Sequence, residues 1–220
     1  MGKTFDTAGQ LTYRSVGFMA KVKKLSVPTD DSATRRLILR AALKRFAHSG
    51  YSAASVQQIV DDAKVSKPAL YYYFKDKAGL FRALVHEAHD ERYRLMHEAA
   101  ARTTGIRAQL AEILNVLFAY VQENRELMRI AFATMLAAPG EVPDDLAHGE
   151  KCERNFEFVH SLMKAAQKAG ELDKTFDSQE LTISFYGVAN FYLVSHLVCP
   201  DFSSGKKTAA RVVDLFLTGA

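Results

Sequence analysis

Apolar positions from residue 34 onward recur at three- and four-residue spacing, and no stretch alternates apolar and polar in the manner of a half-buried strand. Ile38, Ala42 and Phe46 mark one face of a first helix, with Asp31-Ser32 as capping residues and Gly50 as its stop. Arg35, Arg36, Arg40, Lys44 and Arg45 occupy its polar side. A short second helix is predicted over residues 55–63, with Val56, Ile59 and Val60 inward. The connection Lys64-Val65-Ser66 follows. Ser66 is placed to cap a third helix over 67–74, and Pro68 sits in its first turn, where a missing N–H costs nothing. A fourth helix is predicted from about residue 77 to about 102.

Apolar-rich helical segments continue at about 106–123, 125–138, 145–169, 177–198 and 207–217. Gly105, Pro139-Gly140 with Pro143, Gly170, and the stretch from Pro200 to Gly205 separate them. The fold class is therefore all-α. Residues 1–31 show no sustained period and carry Gly2, Gly9, Gly17, Pro28 and a cluster of Lys21, Lys23 and Lys24, so they read as an irregular basic arm. The predicted organisation is that arm, a small helical module over 32–80 and a larger helical body over 81–220.

Charge sharpens this division. The net charge of the 220 residues is only +4, but residues 1–89 carry 15 Lys+Arg against 7 Asp+Glu, and residues 90–220 carry 14 against 18. A basic front and an acidic body suit a nucleic-acid-contacting part joined to a part with another task. With 48% hydrophobic residues the chain is too apolar for a wholly disordered protein. Two cysteines, Cys152 and Cys199, make no disulfide framework and have no metal-ligand spacing, so free, partly buried thiols are expected. The N-terminus lacks the continuous apolar run of a secretion signal. Residues 181–200 are long enough to span a bilayer and uncharged, yet they contain Thr182, Ser184, Asn190, Ser195 and His196 and lie between Glu180 and Asp201. A buried or interface helix in a cytoplasmic protein is the expectation.

Two short helices joined by a tight turn in a basic segment point to a helix-turn-helix. At about 100° per residue, Leu70 and Phe74 of the third helix share the inner face. Lys67, Pro68, Tyr71, Tyr72 and Tyr73 are then left to the outer surface. Lys67 and the helix N-terminus suit phosphate, tyrosine hydroxyls can donate to phosphate oxygens, and the rings can touch thymine methyls.

Residues 34–85 resemble the DNA-binding domain of TetR-family transcriptional regulators. The specific stretch is Val65-Ser-Lys-Pro-Ala-Leu-Tyr-Tyr-Tyr-Phe-Lys-Asp-Lys-Ala-Gly-Leu80. The resemblance implies that Lys67, Pro68, Tyr71, Tyr72 and Tyr73 form the recognition surface. It also implies that Ser55 and Gln57 reach DNA from the second helix, Ser66 caps the third, and Lys77 binds phosphate. The chain departs from the family pattern at Lys64, where Gly is frequent, at Ala54, where Thr is frequent, and at Tyr73, where His is frequent.

The resemblance further implies a homodimer built on the last two long helices, and an effector pocket in the helices before them. The residues agree with the first, since residues 181–199 are apolar nearly all round and need cover on both sides. Leu181, Phe185, Val188, Tyr192, Val212 and Phe216 are the interface candidates, and a fully buried central helix in a monomer is the other reading. Pocket candidates are Leu117, Val121, Met128, Phe132, Met135, Phe156, His160, Met163 and Tyr186, which would serve equally well as ordinary core. No phosphate loop, nucleophile elbow or zinc helix motif is present, so neither enzyme activity nor a cofactor or metal is expected. The expected partners are double-stranded operator DNA, a second copy of the chain and a small apolar or amphipathic effector. The expected function is that of a ligand-responsive repressor. A helix-turn-helix protein controlled by a protein partner, or one that organises DNA, remains the alternative.

Overall fold

The computed structural model describes residues 31–138, 140–143, 146, 150–199, 202 and 205–219, with the side chains of 31, 32 and 219 left out. The arm with Lys21, Lys23 and Lys24, and the capping side chains expected at residues 31 and 32, lie outside the described residues. Every element of the described residues is a helix: α1 Asp31–Ala53, α2 Val56–Ala63, α3 Lys67–Phe74, α4 Lys77–Ala101, α5 Ile106–Glu123, α6 Arg125–Ala133, α7 Glu150–Ala169, α8 Ser178–Val198 and α9 Lys206–Gly219.

Local chemistry sets these bounds. Gly50 interrupts α1 with a left-handed φ of 77°. Ser55 and Gln58 form a reciprocal capping box at α2, each side chain accepting from the other's backbone N–H at 3.2 Å. Ser66 Oγ accepts from Ala69 N at 3.3 Å to open α3, with Pro68 in the first turn. Asp76 caps α4 through Gly79 N at 2.6 Å. Asp177 and Glu180 box the start of α8. Gly105 leaves α5 without a side-chain cap of its own, and Glu171 supplies one from the end of α7, accepting from Ile106 N at 2.7 Å.

The turn of the helix-turn-helix closes on a non-glycine residue. Lys64 caps α2 at φ 54°, ψ 41°, where a side chain crowds the backbone at a cost of roughly 1 kcal/mol. Lys64→Gly should therefore raise stability by up to about 1 kcal/mol, read from the urea midpoint, glycine's extra unfolded-state entropy taking back part of the gain.

The head packs on Ile38, Leu39, Ala42 and Phe46 of α1, Ile59 and Val60 of α2, and Leu70 and Phe74 of α3, all buried. Arg45 of α1 forks onto Asp62 of α2, with Nη2 2.7 Å from Oδ1. α4 touches α1 and α3 at one end and α5, α6 and α7 along the rest. It therefore belongs to head and body together.

The phase of α8 differs from the expectation. Leu181, Phe185, Ala189, Leu193 and Leu197 face inward, and Val212 and Phe216 of α9 meet them, the rings of Phe185 and Phe216 lying 5.6 Å apart. Four of the six interface candidates are thus consumed by the chain's own core, and Val188 and Tyr192 are half-buried. The uncovered apolar line is Ile183, Phe191 and Val198, with Leu215 on α9, and Phe191 is 73% exposed. Among the described residues Ser178–Val198 has the length and mean hydropathy, 1.3, of a span. In this fold it packs on α5, α6, α7 and α9. Cys152 and Cys199 are free and exposed, not partly buried as expected.

Candidate nucleic-acid interface

The candidate recognition surface is built by α3. Its inner face is filled by Leu70 and Phe74, which pins the register of the other positions. Tyr72 is then 77% exposed and Tyr71 47%, and Lys67 and Pro68 are also exposed. Tyr73 is half-buried, its ring edge-on to Tyr72 at 5.0 Å between centroids. Two large aromatic side chains in water are unfavourable for the free protein and favourable for one that will cover them. Arg35 of α1 lies 5.4 Å over the Phe74 ring and braces the C-terminal end of α3.

The flanking candidates are more constrained. Ser55 and Ser66 hydroxyl oxygens are engaged as caps. Gln57 is exposed and donates to Asp61 Oδ1 at 2.7 Å. Lys77 departs most from expectation. Its Nζ donates to the carbonyls of Tyr51, Ser52 and Ala54 at 2.9, 3.2 and 3.1 Å and sits 4.5 Å from the Tyr51 ring centroid. An ammonium has three N–H donors, and all are spent inside the protein. Phosphate would have to displace one carbonyl. Lys77→Ala should therefore cost about 1–3 kcal/mol of stability without any DNA present, measured by urea unfolding.

Sequence reasoning missed Gly79. A Cβ built there would stand 2.1 Å from the Phe74 carbonyl oxygen, so the first turn of α4 approaches the last turn of α3 as only glycine permits. Lys75, at φ 65°, completes this tight joint.

The nine pocket candidates do not line a common cavity in the described clefts. Leu117, Val121, Met128 and Met163 are packed core, and Met135 is 54% exposed. Phe132, Phe156 and Tyr186 are half-buried, with Phe156 stacked on Tyr186. His160 is buried and hydrogen-bonded, its Nε2 3.0 Å from Ser178 Oγ. An open cleft of about 1270 Å³ lies elsewhere, between α1, α4, α5 and α6. Its walls include Arg35 and Arg36 from the head and Glu87, Asp90, Arg94 and Tyr120 from the body. Burial, with the charges of Glu91 and Glu87, pushes the Tyr120 phenol up to about 12.

Known proteins share this arrangement. The profile of bacterial regulatory proteins of the tetR family matches residues 38–84. The transcriptional regulator AcuR of Cereibacter sphaeroides is 30% identical over 169 residues, 71% of this chain and 73% of AcuR. The HTH-type regulator YuxN of Bacillus subtilis is 30% identical over 108 residues, which span 49% of this chain and only 35% of YuxN. The crystal structure of the transcriptional regulator FadR from Bacillus subtilis, in complex with stearoyl-CoA, superposes with a TM-score of 0.74 at 17% identity, covering 84% of this chain and 98% of FadR. That likeness carries the fold over 84% of the chain, while the profile covers the capped, tyrosine-faced helix pair. The chain belongs to the TetR family of DNA-binding transcriptional regulators.

Proposed function

We propose that this regulator is a ligand-responsive repressor that binds a near-palindromic operator as a homodimer in the cytoplasm. The observation that carries the reading is the exposure of Tyr71 and Tyr72 on a helix whose Leu70 and Phe74 are locked into the core. Lys67, Pro68, Tyr71, Tyr72 and Tyr73 form the recognition surface, assisted by Ser55, Gln57, Ser66 and, after exchanging a partner, Lys77. The head spans residues 32–80 and the effector-binding and dimerising body residues 81–220. The uncovered line of Ile183, Phe191, Val198 and Leu215 supports self-association, because one helix-turn-helix per chain reads only half a symmetric site.

The effector reading is supported by FadR, which was crystallised with an acyl-CoA. The coupling runs through α4, which packs on α1 and α3 and on three helices of the body. Its usual scale is about 1–3 kcal/mol, or about 5–150-fold in operator affinity.

Selection of bound DNA from a random pool, followed by footprinting and mass measurement of the complex, tests the proposal. The expected result is an inverted repeat, half-sites about 34–36 Å apart or somewhat more, carrying two chains. A single unsymmetrical half-site bound by one chain overturns it.

A further inference from the structure

The body holds a buried cation that the regulatory reading has not used. Arg92 lies on the inward stripe of α4 between Ala88 and Met96 and is 7% exposed. A guanidinium keeps its charge inside a protein. Among the described residues no carboxylate pairs with it and its Nε has no hydrogen-bond partner. The contact it does make is with the face of Phe132 on α6, 5.6 Å to the centroid. A cation–π contact offsets only part of the hydration that a buried, unpaired guanidinium gives up.

The surroundings share the deficit. His89 Nδ1, one turn before Arg92, and Asn155 Oδ1 and Arg154 Nε on α7 are also buried without partners. Asn155 Nδ2 donates to the His89 carbonyl at 3.1 Å, and Tyr186 Oη of α8 donates to the Asn155 carbonyl at 2.8 Å, so four helices converge here. The nearby carboxylate, Asp90, is already shared by Lys151 and Arg154. Of the other α4 carboxylates, Glu91 is held by Arg94, and Glu87 and Glu91 line the open cleft described above. Burial, then the charges of Arg92 and His86, holds His89 down at about 4, so its ring is neutral near pH 7.

We propose that this junction of α4, α6, α7 and α8 receives the anionic head of a small organic effector, with Arg92 as its counter-charge. The idea rests on the ligand-responsive reading above and adds the chemical class of the ligand. The planar fork of Arg92 matches a carboxylate in two-point contact, and the rings of Phe132 and Tyr186 offer an apolar bed for the body behind it. His89, neutral and carrying its ring proton on Nδ1, would donate to the same head.

Calorimetry on the full chain with octanoate, octyl phosphate and octanol tests this, on the wild type and on Arg92→Met. Methionine fills the stem's space without its charge. The wild type is expected to prefer octanoate over octanol by at least about tenfold. R92M is expected to lose that preference, keep its affinity for octanol, and melt no lower than the wild type without ligand. Tighter binding of octyl phosphate than octanoate, also dependent on Arg92, assigns a phosphate head to the same site.

Equal affinity of the wild type for octanoate and octanol overturns the proposal, as does binding of no probe, or an R92M that keeps the preference. If R92M fails to fold, Arg92→Lys decides. A weakened preference for octanoate supports the counter-charge, and an unchanged one overturns it. Anisotropy of labelled operator separates this from the wider reading. A neutral compound that releases DNA equally from wild type and R92M removes the anion site and leaves the ligand-responsive repressor standing.

Discussion

Gly79→Ala should destabilise the protein by roughly 2–4 kcal/mol, against the direction that helix propensity predicts. Gly79 is in the first turn of α4, where alanine would ordinarily gain up to about 1 kcal/mol. Here the added Cβ would lie 2.1 Å from the Phe74 carbonyl oxygen and 3.3 Å from Asp76 Oδ1. The first contact is with backbone, so no side-chain rotation relieves it. Either the last turn of α3 opens or α4 moves away, and both disturb the core around Leu70, Phe74 and Leu80. Urea unfolding should show the lowered midpoint. Operator affinity measured well below the midpoint should also fall, because α3 no longer projects at its native angle. A variant as stable as the wild type would mean that the joint is slack.

Tyr72→Ala should leave stability nearly unchanged and weaken operator binding by about 1–3 kcal/mol, or about 5–150-fold. Its ring is the most exposed of the three tyrosines and touches the protein mainly at the edge of Tyr73. Binding to unrelated DNA should weaken far less, since that affinity comes from the phosphate backbone. Thermal unfolding alongside fluorescence anisotropy on the selected operator and a scrambled duplex checks both halves. Equal losses on the two duplexes would make Tyr72 a backbone contact and not a base reader.

The helices were legible because breakers and caps are local. Gly50, Ser55, Ser66, Gly105 and Asp177 act within a few residues of where they stand. The outward face of α3 was legible for a related reason: on an eight-residue helix, two apolar anchors fix the phase. The phase of α8 was not, because a helix apolar nearly all round offers several inward stripes, and only its neighbours α5 and α9 choose one. The pocket candidates could not be told from core for the same reason, since methionine and phenylalanine pattern identically in a cavity and in a core. Lys77 showed its charge but not the three carbonyls some 25 residues earlier that would claim it. Arg92 did leave a trace. It falls at four-residue spacing between Ala88 and Met96, a charged residue in step with an apolar stripe. That mismatch is a sequence signal in its own right.

Only Lys75 and Asp76 separate α3 from α4, and the packing at Gly79 welds them. With 25 residues, α4 is a lever about 37 Å long at 1.5 Å per residue. Pivoted near its far end, a tilt of about 5° carries the welded recognition helix sideways by about 3 Å, close to the ~3.4 Å rise of one base pair. In the dimer proposed above, a movement in the body no larger than one side chain changing its packing would thus be enough to put the two reading heads out of step with their half-sites.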